Sequence, residues 1–217
     1  MTASTAPTPE RVIAETRAWL RHAVIGLNLC PFARGVENKG QVRYVVSNAT
    51  DPEDLLTELC VELQRLADAD PDAIETTLLM HPQVLSDFLD FNDFLEAADA
   101  AIDELDLGGE LQIASFHPDF QFDGTEPDDV TNATNRSPWP TLHLLREDSI
   151  DRAVEAFPEA EAIFETNMAT MDRLGSQGWA DLKARCREEA DRELAEPARP
   201  GGADAGAGTG ADGGRPA

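Results

Sequence analysis

The chain has 217 residues and sets 42 acidic side chains against 17 basic ones, a formal net charge of −25. A surface of that charge repels phosphate backbones and anionic bilayers, so nucleic-acid binding and membrane attachment are set aside. The length fits one domain with a core of ordinary size, plus tails.

Residues 1–8 are small and polar and are expected to be disordered, with a single α/β domain over 9–192. From Pro9, the residues Val12, Thr16, Trp19, Ala23 and Leu27 recur at three- and four-residue steps, which predicts a helix ending near Leu29. The following CPFARGVENKG reads as a loop, because Pro31 disfavours helix at Cys30. QVRYVVSNA (41–49) is rich in β-branched residues and predicts the first strand. Asp51-Pro52 is a helix start, and Leu55, Leu59, Leu63 and Leu66 give that helix its apolar face. AIETTLLMH (73–81) predicts the second strand. A helix from about Val84 to Leu107 follows, lined by Phe88, Phe91, Leu95, Ala98 and Ile102.

ELQIASF (110–116) predicts the third strand and PTLHLLRE (140–147) the fourth. Between them lies a long polar loop with one arginine and few aliphatic residues. A helix through Ala156 and another from Pro158 to about Ala190, bent at Gly175 to Gly178, complete the domain. The Gly/Ala/Pro-rich stretch 193–217 is expected to be a disordered tail. The order α-β-α-β-α-β-β-α-α predicts an α/β fold, a mixed sheet of about four strands with helices packed on it. At least three strands should run parallel. The helix-free connection makes the third and fourth antiparallel, joined by the loop at one edge of the sheet.

In such sheets ligands bind outside the carboxyl ends of the parallel strands. His81 and His117 stand at those ends, and an antiparallel fourth strand brings His143 to the same edge. The loop segment TNATNRSPWPT supplies Asn135, Arg136 and Ser137, a planar cation flanked by neutral hydrogen-bonding groups, as an anion would need. Arg146 could add a second charge. Cys30 lies at the negative end of a helix and needs a neighbouring imidazole or Arg34 to become nucleophilic. Cys60 reads as core, Cys186 and His22 as solvent-facing. The loop acids miss the calcium-loop pattern at Gln121 and Val130.

The strings AVIGLNLCPFA, QVRYVVS, TTLLMHP, ASFHPDFQF and NATNRSPWPTLHLLRE, in that order, resemble a bacterial family, domain of unknown function 1415, over about residues 10–185. The resemblance implies one domain across that span and carries no catalytic residues with it.

Three readings follow. The first is an enzyme acting on a small anionic metabolite, with Arg136, Asn135, Ser137 and Arg146 binding it, His117 as general acid/base assisted by His143, and Cys30 as nucleophile. The second is a metal-dependent enzyme with a His/Cys-ligated site, using His81, His117 and His143 with Cys30 as a further candidate ligand. The third is a non-catalytic binding or interaction module. The sequence names no cofactor and no oligomeric state. The first residues lack a basic start with an apolar run, no apolar run suits a membrane span, and three cysteines make no disulfide framework, so the expected location is the cytoplasm.

Overall fold

The computed structural model describes residues 6–156 and 162–196. Its helices are α1 (Pro9–Trp19), α2 (Ala33–Asn38), α3 (Pro52–Asp68), α4 (Phe88–Glu104), α5 (Glu147–Ala156) and α6 (Ile163–Ala195), and its strands are β1 (Val42–Val46), β2 (Thr76–Met80), β3 (Leu111–Phe116) and β4 (Thr141–Arg146). A π-helical segment, Leu20–Ile25, continues α1, and a 3-10 helix, Val130–Asn135, lies in the loop between β3 and β4. Among the described residues no helix is long and apolar enough to cross a membrane.

The sheet order is β1-β2-β4-β3. β1 and β2 are parallel, while β4 runs antiparallel to both β2 and β3. The expected antiparallel pair is present, and β1, β2 and β3 point the same way. The strand order, which the sequence left open, inserts β4 between β2 and β3. Leu142 and Leu144, both fully buried, explain the choice, since a strand this apolar gains most with neighbours on both sides.

Both βαβ crossovers move in the same direction along the sheet, so right-handed connections put α3 and α4 on one face. Leu55, Leu59, Leu63 and Leu66 of α3 meet Phe91, Ala98 and Ile102 of α4 over Leu79, Leu142 and Leu144. Each fully buried leucine there contributes about 1.5–3 kcal/mol of transfer free energy. α1, the π segment and α6 cover the other face, where Trp19, Leu20, Ala23, Trp179 and Leu182 cluster.

Local signals set the helix starts. Asp51 accepts from the Asp54 N–H at 2.9 Å, with Pro52 in the first turn. Asp87 accepts from the N–H groups of Leu89 and Asp90, so α4 begins at Phe88, later than Val84. Leu85, at φ 54°, cannot belong to that helix. The stretch after Cys30 is not all loop, because it contains α2, whose Glu37 accepts a hydrogen bond from the Tyr44 hydroxyl at 3.0 Å. The bend in the last helix falls at Gly175, where φ 69° and ψ 168° suit only glycine. Beyond it, α6 runs along α1, held by pairs such as Arg21–Glu189 at 2.6 Å and Arg17–Glu193 at 3.6 Å. His22 also pairs with Glu189 and is half-buried, not a free solvent position. The start expected at Pro158 and the tail from 197 lie outside the described residues, and residues 193–195 of the expected tail are helical.

Candidate functional site

The histidines separate by face. β4 pairs with β3 so that His143 stands opposite Ala114. Side chains alternate along a strand, so His143 shares a face with Ala114 and Phe116, while His117 belongs to the other face. Ring contacts agree: His143 lies 6.0 Å from Phe116, under α1 and α6, whereas His117 lies 5.2 Å from Phe91 and 5.5 Å from Phe88, both of α4. The expected His117–His143 pair therefore does not form. The three-histidine metal site does not form either, and among the described residues no group of three His, Cys, Asp or Glu side chains could hold a metal ion.

Each histidine has a structural partner. His81 is fully buried, and its Nδ1–H donates to the Val84 carbonyl at 3.0 Å. Burial pushes its pKa down to about 4. His117, also fully buried, accepts at Nδ1 from the Asp119 N–H at 3.1 Å, which leaves Nε2–H to donate to the Leu85 carbonyl at 3.3 Å. Its pKa is lowered, again by burial. These two rings clip the turn between β2 and α4, in opposite tautomers, with Phe91 stacked on His117 and tilted against His81. On the other face the Thr76 hydroxyl donates to the Leu144 carbonyl at 2.6 Å, so it accepts from His143 Nε2–H at 2.8 Å. Desolvation lowers His143 to about 4.

Arg146 leaves the site as well. β4 is antiparallel, so its last residue lies at the amino ends of β1 to β3. There Arg146 donates to the carbonyls of Leu66, Ala69 and Ile74 at 2.7, 2.8 and 3.1 Å. Cys30, half-buried, packs into the apolar cluster beneath α6 and meets no histidine ring among the described contacts. Asn135 is used within the loop: its side-chain oxygen accepts from Thr134 and its carbonyl from the His117 N–H.

Arg136 and Ser137 do come to a cavity, at the carboxyl end of β3 and the amino end of β4. It measures about 370 Å³ and lies between the loop, α1 and α6. The loop contributes Pro118, Asp119 and the run Arg136–Trp139, α1 contributes Glu15 and Trp19, and α6 contributes Trp179, Leu182, Lys183, Cys186 and Arg187. All three tryptophans of the chain line it. The indole N–H groups of Trp139 and Trp179 are shielded from solvent and have no acceptor among the described residues. Both rings line the cavity, Trp139 from the loop and Trp179 from α6, while each N–H itself is enclosed by protein.

The charges here divide into committed and uncommitted ones. Arg136 donates to the Phe120 carbonyl at 2.9 Å and the Pro127 carbonyl at 2.8 Å, which ties the loop into a closed wall, and burial lowers its pKa. Glu15 is paired with Arg11 at 2.6 Å. Lys183 and Arg187 have no carboxylate partner among the described residues, and Lys183 Nζ stands 6.0 Å from the centre of the Trp179 ring. Cys186, expected to face solvent, is 5 % exposed, and burial pushes its thiol up to about 11. It is thus a protonated wall residue rather than a nucleophile.

The loop keeps its shape through Asn132, which is fully buried. Its side-chain oxygen accepts from the Phe122 N–H and the Thr125 hydroxyl, both at 2.9 Å, and its amide donates to the Glu126 carbonyl at 2.9 Å. Asp129 starts the 3-10 helix by accepting from Thr131 N–H at 2.9 Å. Asn132→Ala is expected to cost about 1–3 kcal/mol in urea unfolding, since it strands the Phe122 N–H, while the Thr125 hydroxyl keeps the Phe122 carbonyl and the Glu126 carbonyl keeps the Asp129 N–H.

The family model for a protein of unknown function, DUF1415, matches residues 11–181. The chain belongs to that family. The match takes in both sheet faces, the whole β3–β4 loop and the part of α6 that carries Trp179, so DUF1415 residues build most of the cavity. Comparison with curated proteins gives no match, and comparison with solved structures gives none.

The cavity residues that the sequence concealed are those on the flanking helices. Trp179, Lys183 and Arg187 follow one another at four-residue steps, a single row along α6. That spacing was the available signal. It also fits a helix half packed on a core, and only the docking of α6 on the loop turns the row toward a cavity.

Proposed function

We propose that this protein binds a small anionic organic molecule in the cavity between the β3–β4 loop, α1 and α6. The observation that carries this reading is the union of two cations without a carboxylate partner among the described residues, Lys183 and Arg187, with three tryptophan rings around one cavity of about 370 Å³. A pocket of that size suits a metabolite, and its apolar lining with a few polar groups is the usual composition of such sites. In a chain of net charge −25, uncommitted cations at a concave site draw an anion inward against the general field. The reading is one of recognition: the histidines have structural partners elsewhere and the cavity's thiol is held protonated.

Because all three tryptophans line the cavity, intrinsic fluorescence reports on it directly. Titration with small carboxylates and phosphate monoesters is expected to give a saturable emission change with at least one class. The same compound should raise the melting temperature of the wild type. In the double variant Lys183→Gln/Arg187→Gln, two exposed positions, affinity should fall at least tenfold with the fold intact. A panel that leaves emission unchanged, or a response equal in both proteins, overturns the proposal.

A further inference from the structure

The cavity also contains a carboxylate that a site for simple anions would be better without. Asp119, exposed at the start of the loop, lines the same wall as Arg136, close enough for its charge to act on that guanidinium. Its backbone N–H is used on His117, but its carboxylate accepts no hydrogen bond from any described residue. Glu15, the other acid of the cavity, is neutralised by Arg11. One acid and two cations around one small space thus have no hydrogen-bonded or ion-paired side-chain partner among the described residues.

We infer, resting on the binding reading above, that the ligand is a zwitterion of the α-amino acid class with a large apolar side chain. Asp119 would take the ammonium group, the cations Lys183 and Arg187 of α6 the carboxylate, and the tryptophan-lined wall the side chain. A ligand that is only an anion meets repulsion from Asp119, whereas one that carries a positive charge a few ångströms from its carboxylate turns that repulsion into attraction. This is how a site discriminates between ligands that share one functional group. An α-amino acid carries its two charges within one residue's width, and Asp119 of the loop and Lys183 and Arg187 of α6 line the same small cavity. Leu182, Pro118, Pro138 and the three indoles give the remaining lining an apolar, flat-sided character that suits a branched or aromatic side chain over a polar one.

The test is a fluorescence titration with matched sets: leucine against 4-methylpentanoate and 3-methylbutylamine, and phenylalanine against 3-phenylpropanoate and 2-phenylethylamine. The expected result is that the amino acid of at least one set binds tenfold or more tighter than its acid and its amine. In Asp119→Asn, which keeps the backbone N–H on His117, the preference over the plain acid should vanish while affinity for the acid holds or improves. In Arg187→Gln, both should weaken together. If the plain acids bind as well as the amino acids, the inference fails and the anion-binding reading stands. If no acid and no amino acid binds, the inference fails, and the wider panel of carboxylates and phosphates decides the reading beneath it. If the amino acids bind but Asp119→Asn keeps their preference, the ammonium group is held elsewhere and the inference fails.

Discussion

Between pH 7 and pH 5 the folded protein is expected to lose about 2 kcal/mol of stability for each of His81 and His143, an effect that two substitutions should remove. Both imidazoles have pKa values lowered to about 4 by burial, against 6.5 for a free side chain. Above pH 6.5 folded and unfolded chains both carry neutral rings, so the fold keeps its full stability. As pH falls from 6.5 toward 4 the unfolded chain takes up protons that the folded chain refuses, and unfolding becomes easier. Below about 4 both states are protonated and the penalty levels off, at roughly 3 kcal/mol for His81. His117, lowered in the same direction by burial, adds to the slope. The measurement is urea unfolding at pH 7, 6 and 5 for the wild type and for His81→Asn/His143→Gln. Asparagine presents an amide N–H where Nδ1–H met Val84, and glutamine one where Nε2–H met Thr76. Whatever its stability at pH 7, the variant's loss on acidification should be smaller by about 4 kcal/mol. Equal pH slopes would mean that the rings titrate normally in the fold.

This result would also show why the histidines drew attention in the sequence. Three of the chain's four stand at or near strand ends, His81 and His117 each followed by proline. Strand positions, the antiparallel β3–β4 pair and the carboxyl-end location of the loop were all legible, because each rests on local periodicity or on connection length. What decides the site is register. Pairing Ala114 with His143 sends His143 to the α1–α6 face, and a shift of one residue would have sent it to the α4 face beside His117. Nothing local in SFHPDF or TLHLL fixes that choice. It comes from Leu142 and Leu144 filling the core under α3 and α4. The partners of the cavity were hidden for a related reason. Glu15 and Trp19 precede the loop by about a hundred residues, and Lys183 and Arg187 follow it, so their meeting is a tertiary fact. Arg136 and Ser137 were found because the loop itself places them; Arg146 was misjudged because a charge beside a loop in sequence can lie at the far end of a strand in space.

Arg146 accordingly carries the second large expectation. Arg146→Met should destabilise the fold by roughly 3–5 kcal/mol while leaving ligand affinity at the cavity unchanged. One of its two terminal nitrogens, Nη2, serves the carbonyls of Leu66 and Ala69 at the end of α3 and that of Ile74 just before β2. The carbonyls of Leu66 and Ala69 lie at a helix end, where the helix dipole favours a cation. Methionine keeps the apolar stem in place, so the loss measured by urea unfolding reports the charge and its hydrogen bonds rather than a cavity. Lysine supplies an internal control. Here all three bonds converge on one nitrogen, and Nε is buried without an acceptor. An ammonium has three N–H groups for three carbonyls and brings no stranded donor with it, so Arg146→Lys should recover all but about 1 kcal/mol of the loss. At a site that used the planar fork of a guanidinium, lysine would fail. Near-complete rescue by lysine, with tryptophan emission on titration unchanged in both variants, would separate the structural arginine of β4 from the cavity arginines at the other end of the sheet. A loss of affinity in Arg146→Met at intact fold would instead tie the two ends together.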